Sequence, residues 1–535
     1  MRLDRTKLRT NMKTLITVIK VFVLFTWLVI LKDTNSYYSV YILCALVGGF
    51  CFFDNYRRKR TLSKRKNIVI TIASIVFSAC VVLANYALFF PLTSANILNI
   101  PLCALGGIVA GREILMYACN VFPLKVDCEK IAQSRKSPLK VFFIAFGIIA
   151  VIDIVYLFVC TYPGVMTPDS LSQVEQSLTG NYSNHHPFYH TVFIKLIINI
   201  GMSLFNNINV AVVLYSICSV MFMAGAFAYA IVTLYQSGLP KKALVLIFAV
   251  FALMPYNVAY SVTMWKDVVF GCAALWLVVS LFRLFKNIGK HRIANYIVLF
   301  LSSVAFCVWR SNGLYAFLVS VLALFVILRK KHIKVSLIMT AAFVLSYILL
   351  GPVLTLANVS QTSYSERLSI PLQQVARVIT AGCELTEEEE EKLSKIMDVD
   401  EIPALYKEYI SDPVKAHVNI TGDDHLKEHN LEYLQLWLKL GIKYPQYYMA
   451  AFVEQTKGYW NGGYDYYLYD VGVDENDLGI VSVDNKISNI ASAGYFFALN
   501  TQEFIQPIKS IGLHVWVQHQ FHQQLLLSYQ ALLLN

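Results

Sequence analysis

Long apolar runs separated by short basic loops set the pattern of this chain. Runs near 14–31, 37–53, 68–90, 95–111 and 141–160 are followed by 209–233, 242–262, 268–286, 293–309, 313–328, 335–356 and 511–533. Most are long enough to cross a bilayer as a helix. A membrane barrel would instead alternate apolar and polar residues over short strands. The pattern predicts an all-α polytopic membrane protein with about twelve transmembrane helices. The run 190–206 is shorter and carries Lys195, so it reads as one re-entrant or interfacial helix. The chain ends in LLLSYQALLLN with no basic residue after it, which reads either as a truncated end or as an end that continues in relatives.

The pattern changes between 357 and 510. In TEEEEEKLSKIM, Thr386 opens a helix whose first turn is acidic, which favours its N-terminus. Apolar residues recur at helical spacing over 432–460, and Pro445 falls where a second helix would begin. This segment predicts a small, mostly helical domain. Tyr459, Trp460, Tyr464, Tyr466, Tyr467 and Tyr469 form an aromatic cluster, read first as an interfacial belt and second as a sugar platform. The chain divides into N-terminal membrane helices (1–139), a membrane core (140–356), the polar domain (357–510) and a last helix (511–535).

Composition sharpens this division. The 535 residues are 57% hydrophobic, with a mean hydropathy of +0.54. The net charge of +11 is unevenly spread. Residues 357–510 hold 12 Lys/Arg against 24 Asp/Glu, and the rest hold 33 against 10. Nucleic-acid binding needs a basic polar face, and the only large polar domain is acidic, so no nucleic-acid partner is expected. The basic residues instead set topology. RRKRTLSKRK (57–66), the 112–140 loop, Lys241-Lys242, 286–292 and 329–334 mark the cytoplasmic side, together with the N-terminus. Loops 161–190, 263–267 and 310–313 and the domain 357–510 then face outward from the cell membrane, provided 190–233 crosses only once. The 11 cysteines show neither a disulfide framework nor metal-site spacing and read as small apolar fillers.

The candidate chemistry lies in the outward loops. TYPGVMTPDSLSQVEQSLTGNYSNHHPFYH (161–190) has no Lys or Arg. Asp169 stands just beyond an apolar run, where a carboxylate can gain proton affinity and act as a base. The plainer alternative is an Asx turn that starts the amphipathic helix DSLSQVEQSL. His185 and His186 close the loop. Lys266 and Asp267 follow Trp265, and Arg310 ends another run; each alone reads as an interfacial anchor. Together the cations could hold a phosphate. Arg367 and Arg377 lie where the polar domain leaves the membrane. Asp153 lies inside a run, either as a functional carboxylate or paired with a neighbouring helix.

YPGVMTPDS with HHP, WKD, RSNG and SIPLQQVAR resembles the GT-C superfamily of membrane glycosyltransferases, which use polyprenyl-phosphate-linked sugars. Within that group the pattern is similar to an uncharacterised family of Gram-positive bacterial membrane proteins. The resemblance covers most of residues 140–460. It implies a GT-C-like fold and an inverting transfer from a polyprenyl-phosphate sugar to a cell-envelope glycan, lipid or protein acceptor. Asp169 would be the catalytic base, and His185, His186, Lys266, Asp267, Arg310, Arg367 and Arg377 would bind substrate. No metal ligand set is assigned; the resemblance leaves room for a divalent cation and names no other cofactor. Two departures stand out. Four runs precede the one feeding the loop, and the second acidic residue usual beside the loop carboxylate is absent, Glu175 being the nearest. A glycan polymerase or ligase and a flippase of lipid-linked glycans are the alternatives, the first because of Arg367 and Arg377.

Overall fold

A computed structural model describes residues 5–32, 38–58, 61–89, 94–121, 128–288, 292–310, 312–328, 332–460 and 472–482. These residues are helical, with β-pairing limited to isolated bridges. Seven helices are long and apolar enough to cross a membrane: Lys64–Ala84, Asn96–Asn120, Pro138–Cys160, Phe188–Phe205, Ile208–Gln236, Lys266–Phe285 and Ile333–Leu356. That is the make-up of a multi-pass helical membrane protein. The expected run 511–533 and the aromatic residues 464–469 lie outside the described residues.

Two compact units emerge. Of the described residues, 5–121 and 363–460 form the first, and 128–362 with 472–482 form the second. The polar segment is therefore shared between units, whereas the sequence pattern treats 357–510 as one domain.

In the first unit the helices Arg5–Leu31, Tyr38–Arg57, Lys64–Ala84 and Ser94–Val121 pack around Trp27, Leu31, Tyr41, Cys103 and Ala110. Small residues allow close approach, as expected for helices packing in lipid. A Cβ at Gly106 would meet the Trp27 side chain at 2.3 Å. Lys20 Nζ donates to Glu113 Oε1 at 2.6 Å, and Asn55 Nδ2 to Glu113 Oε2 at 3.1 Å, so this buried carboxylate is fully engaged.

Residues 363–460 of the same unit fold around Leu372, Ala376, Leu393, Ile402, Val418 and Leu440. Thr386 opens the helix Glu387–Ser394 with a capping box, and Pro445 opens Pro445–Trp460, both as predicted. Glu389 ties the cap to its neighbours. It accepts from the Thr386 amide at 2.9 Å and meets Lys439 at 3.0 Å and Lys443 at 3.3 Å. Burial alone would raise this carboxyl, but the Thr386 amide and the two lysines outweigh it and hold it down to about 2. A depressed carboxyl stabilises the fold above its unfolded value, roughly 4.3, and that contribution is lost as pH falls toward about 2. Amide exchange of residues 387–394 in the full-length protein is therefore expected to accelerate as pH falls below about 4, after correction for intrinsic rates. Glu389→Gln should exchange about tenfold faster at pH 7 and show little further change on acidification. Equal protection in both proteins at every pH would refute this.

The second unit is built on Ile208–Gln236, packed against Pro138–Cys160 around Ile149, Leu157, Val220 and Ala228. The run 242–262 is not one helix. Lys241–Leu253 stops at Met254, which takes an extended conformation before Pro255, and Pro255–Ser261 begins anew. The residue before a proline is pushed out of the helical region, which accounts for the break. Phe188–Phe205 is one continuous helix, but its neighbours lie in the first half of Ile208–Gln236. His190 bonds Tyr215, Phe193 packs on Tyr215 and Phe222, and a Cβ on Gly201 would strike Ala211. The second half continues past this helix to Tyr235, whose hydroxyl donates to the Lys136 carbonyl at 3.1 Å. Lys195, the charge in the run, donates to the Tyr182 hydroxyl at 2.5 Å.

Candidate functional site

The loop after Pro138–Cys160 is held by backbone pairing. The Val165 amide donates to the Val262 carbonyl at 3.0 Å, and the Met264 amide to Val165 at 2.9 Å. Met166 donates to the Gly472 carbonyl at 2.8 Å. Gly164 has φ +149°, and a Cβ there would lie 2.3 Å from Ser216 Oγ, so this turn demands glycine. The far end of the loop is pinned to residues 360–362. The Asn184 amide donates to the Ser360 carbonyl at 2.9 Å, and Thr362 Oγ1 to the Asn184 carbonyl at 2.8 Å.

Thr167 caps the helix Pro168–Thr179 through a capping box with Ser170, and the Ser170 hydroxyl donates to the Met264 carbonyl. The cap is therefore Thr167 and not Asp169, which removes the Asx-turn reading of Asp169. Its carboxylate turns toward another segment. Lys266 Nζ, the first residue of Lys266–Phe285, donates to Asp169 Oδ2 at 2.5 Å across 97 residues of sequence. The same ammonium lies 3.2 Å from His186 Nδ1, and His186 Nδ1 is 3.8 Å from Asp169 Oδ2. The Asp169 side chain stays 42% exposed, against 17% for Lys266 and 6% for His186, so the carboxylate is the part an incoming molecule can reach.

This geometry corrects the expected electrostatics. A loop without cations left Asp169 with no local partner and a raised proton affinity; Lys266 supplies the partner from elsewhere. Burial pushes the Asp169 carboxyl up, but Lys266 and the two histidines more than offset it and hold it below the usual carboxylate range. Burial and the Lys266 charge push His186 down to about 4, so the ring is neutral at pH 7 and accepts from Lys266.

A buried polar chain lies behind the cluster. His190 Nδ1 is 2.9 Å from Gln173 Oε1, Gln173 Nε2 donates to Thr191 Oγ1 at 2.8 Å, and His190 Nε2 is 2.6 Å from the Tyr215 hydroxyl. Because the Gln173 amide gives its N–H to Thr191, its oxygen accepts from His190, which places the His190 proton on Nδ1 and leaves Nε2 to accept from Tyr215. Gln173 and His190 were not singled out from the sequence. The available signal was Gln173 on the buried face of an amphipathic helix, in register with Ser170 and Ser177.

Of the other candidates, His185 is exposed with its ring 4.7 Å from that of His186. Asp267 and Arg310 form an ion pair, which ties Arg310 to the residue next to Lys266. Trp265 stacks on Tyr260, with centroids 6.0 Å apart. Asp153 is buried near Ser261, whose hydroxyl donates to the Val258 carbonyl at 2.8 Å. Arg367 and Arg377 belong to the first unit. There Arg377 pairs with Glu408 at 2.7 Å and lies over Tyr406. Among the described residues no three His, Cys, Asp or Glu side chains converge as a metal would require. In the Asp169 cluster the Lys266 ammonium stands between the two donors, so these residues do not fit a divalent cation.

Residues 176–518 match the model of a family of unknown function, DUF6020, and the chain belongs to that family. No curated protein and no solved structure matches it.

Proposed function

We propose that this DUF6020 member is a GT-C-type membrane glycosyltransferase that moves a sugar from a polyprenyl-phosphate donor to an extracytoplasmic acceptor. The observation that carries the proposal is the Asp169–Lys266–His186 cluster, a reachable carboxylate in contact with an ammonium at one end of long apolar helices. A donor of this class lies in the bilayer with its phosphate at the surface, where that end would meet it.

The two charges divide the work. Lys266, with Arg310 tied to its neighbour Asp267 by an ion pair, would bind the donor phosphate and stabilise the charge that builds on it as the sugar leaves. As Lys266 turns to the phosphate, Asp169 is released from its ion pair and becomes a competent base. Asp169 takes the proton from the acceptor hydroxyl, and the acceptor oxygen bonds to the anomeric carbon. The bond from that carbon to the phosphate oxygen breaks, and polyprenyl phosphate departs. A single displacement inverts the anomeric configuration. Neutral His186 holds the Lys266 ammonium in place, and His185 lies where it can meet the sugar. The polymerase or ligase alternative rests on Arg367 and Arg377. Arg377 pairs with Glu408 just as Arg310 pairs with Asp267, so pairing does not separate the two readings; the class of donor that supports transfer does.

In this reading about twelve helices cross the membrane, Phe188–Phe205 stays at the outer side, and Asp169 and residues 357–510 face out of the cell. Single cysteines on a background without the native ones test the arrangement. Ser394→Cys, at the exposed end of the helix Glu387–Ser394, should react with an impermeant maleimide in intact cells, and Gln133→Cys only after lysis. The opposite result would reverse the orientation and move the Asp169 cluster away from an external acceptor. The activity itself is tested by mixing purified protein with a polyprenyl-phosphate-linked sugar and following release of polyprenyl phosphate. No release with any acceptor from the cell envelope would refute the proposal.

A further inference from the structure

The opposite end of the second unit holds a charge that the transfer reaction does not use. Arg283, in the last turn of Lys266–Phe285, is only 8% exposed. Its guanidinium donates to Asn295 Oδ1 at 2.9 Å, Thr233 Oγ1 at 2.8 Å and Gln236 Oε1 at 2.9 Å, and lies over the Tyr229 ring. All these partners are neutral, and among the described residues no Asp or Glu is paired with Arg283. A buried cation without a counter-charge is costly and within a membrane bundle points to a ligand.

Two cavities flank it. One of about 790 Å³ is lined by Arg283, Asn287 and Asn295 at its polar end, by Arg135, and by Phe142 and Phe143 along its wall. The other, of about 350 Å³, shares Arg283, Asn287 and Asn295 and adds His332 and Lys334. The larger lies within the range of small-molecule sites. Glu129 is the acidic residue on its lining, opposed by Arg135 and Arg283. Leu139 and Phe143 line the same cavity and are 72% and 63% exposed on the apolar outside of the bundle. The cavity therefore joins a cationic end to a surface that faces lipid. It touches the first two turns of Pro138–Cys160, and the Asp169 loop follows its last turn, so the two sites are about 34 Å apart along that helix.

We propose that this cavity binds the phosphate headgroup of an anionic membrane lipid, with Arg283 and Arg135 on the phosphate and the lipid chain along Phe142 and Phe143. Arg283 Nε and Nη1 are held by Asn295, Thr233 and Gln236, so its Nη2 is the nitrogen that meets the phosphate, while Arg135 adds a second guanidinium and the Asn287 amide completes the shell. The site is independent of the glycosyl-transfer reading. Free phosphate has the same headgroup chemistry without the chain, so the two sources are separable.

Full-length protein in detergent is titrated with dioctanoyl phosphatidic acid, dioctanoyl phosphatidylcholine and inorganic phosphate, and binding is read by native mass spectrometry and by thermal shift. Phosphatidic acid should form a retained one-to-one adduct and raise Tm, and the other two should not. Arg283→Gln should weaken the lipid by about tenfold, and Arg135→Gln by less. Because Arg283 also joins three helices, Val298→Trp is measured alongside; it fills the cavity, keeps Arg283 and should also abolish the adduct. Equal stabilisation by inorganic phosphate would replace the lipid with a soluble anion and overturn the proposal. So would retention of the phosphatidic acid adduct by folded Arg283→Gln or by Val298→Trp.

Discussion

Asp169→Asn is expected to remove sugar transfer while leaving donor binding in place. The substitution keeps the shape of the side chain and takes away its basicity. Loss of a general base costs about 10²–10⁴ in rate. Fold stability should change little, because the helix cap at this turn is Thr167 with Ser170 and does not involve the Asp169 side chain. The asparagine oxygen can still accept from Lys266 Nζ, although without the charge assistance of the 2.5 Å ion pair. Donor affinity should hold or rise, since an ammonium released from a carboxylate is freer to meet a phosphate. The measurement is kcat for polyprenyl phosphate release together with donor Kd, on protein whose thermal unfolding matches wild type. A variant retaining more than about half the wild-type kcat would remove Asp169 from the chemistry. Loss of donor binding without loss of kcat at saturation would make it a binding residue.

How much of this was legible in the sequence follows from the range of the forces involved. The helices were readable because an apolar run long enough to cross a bilayer satisfies its backbone only as a helix. Thr386 and Pro445 were readable because caps act within one turn of the residue that makes them. The break at Met254–Pro255 carried a signal, the proline, that the continuous apolar run concealed. Asp169 stood out by its position after a membrane run, but its state did not. The cation that fixes it comes from position 266, and a loop inspected alone looked devoid of positive charge. The Gln173–His190–Tyr215 chain was illegible for the same reason, since it joins three helices through contacts of 17 and 25 residues' separation. The grouping of 363–460 with the first four helices is a property of packing that no local pattern carries.

Lys266→Met should produce the second large loss, and of a different kind. Methionine keeps much of the length and apolar stem of lysine and removes only the charge and its donors. Three changes follow at the cluster. The donor phosphate loses its nearest cation, so KM for the donor should rise by about tenfold or more. Charge on the departing phosphate goes unstabilised, which lowers kcat by about 10²-fold. Asp169 also loses the partner that holds its carboxyl low, leaving burial, the largest influence on it, to push it up. In wild type that carboxyl is already ionised well below neutral pH, so the acid limb of kcat/KM lies on the acid side of the ordinary carboxylate range. In Lys266→Met the limb should move to higher pH, because protonated Asp169 cannot accept a proton. Lys266→Arg restores the charge in a planar, longer form and should recover donor binding more than kcat, since the Asp169–His186 spacing is set for a single ammonium. Donor titrations and pH profiles of the three proteins decide the matter. An unmoved acid limb with unchanged donor KM would show that the Lys266–Asp169 contact is only a structural pin between the loop helix and Lys266–Phe285, and the division of labour between base and phosphate binder would fall with it.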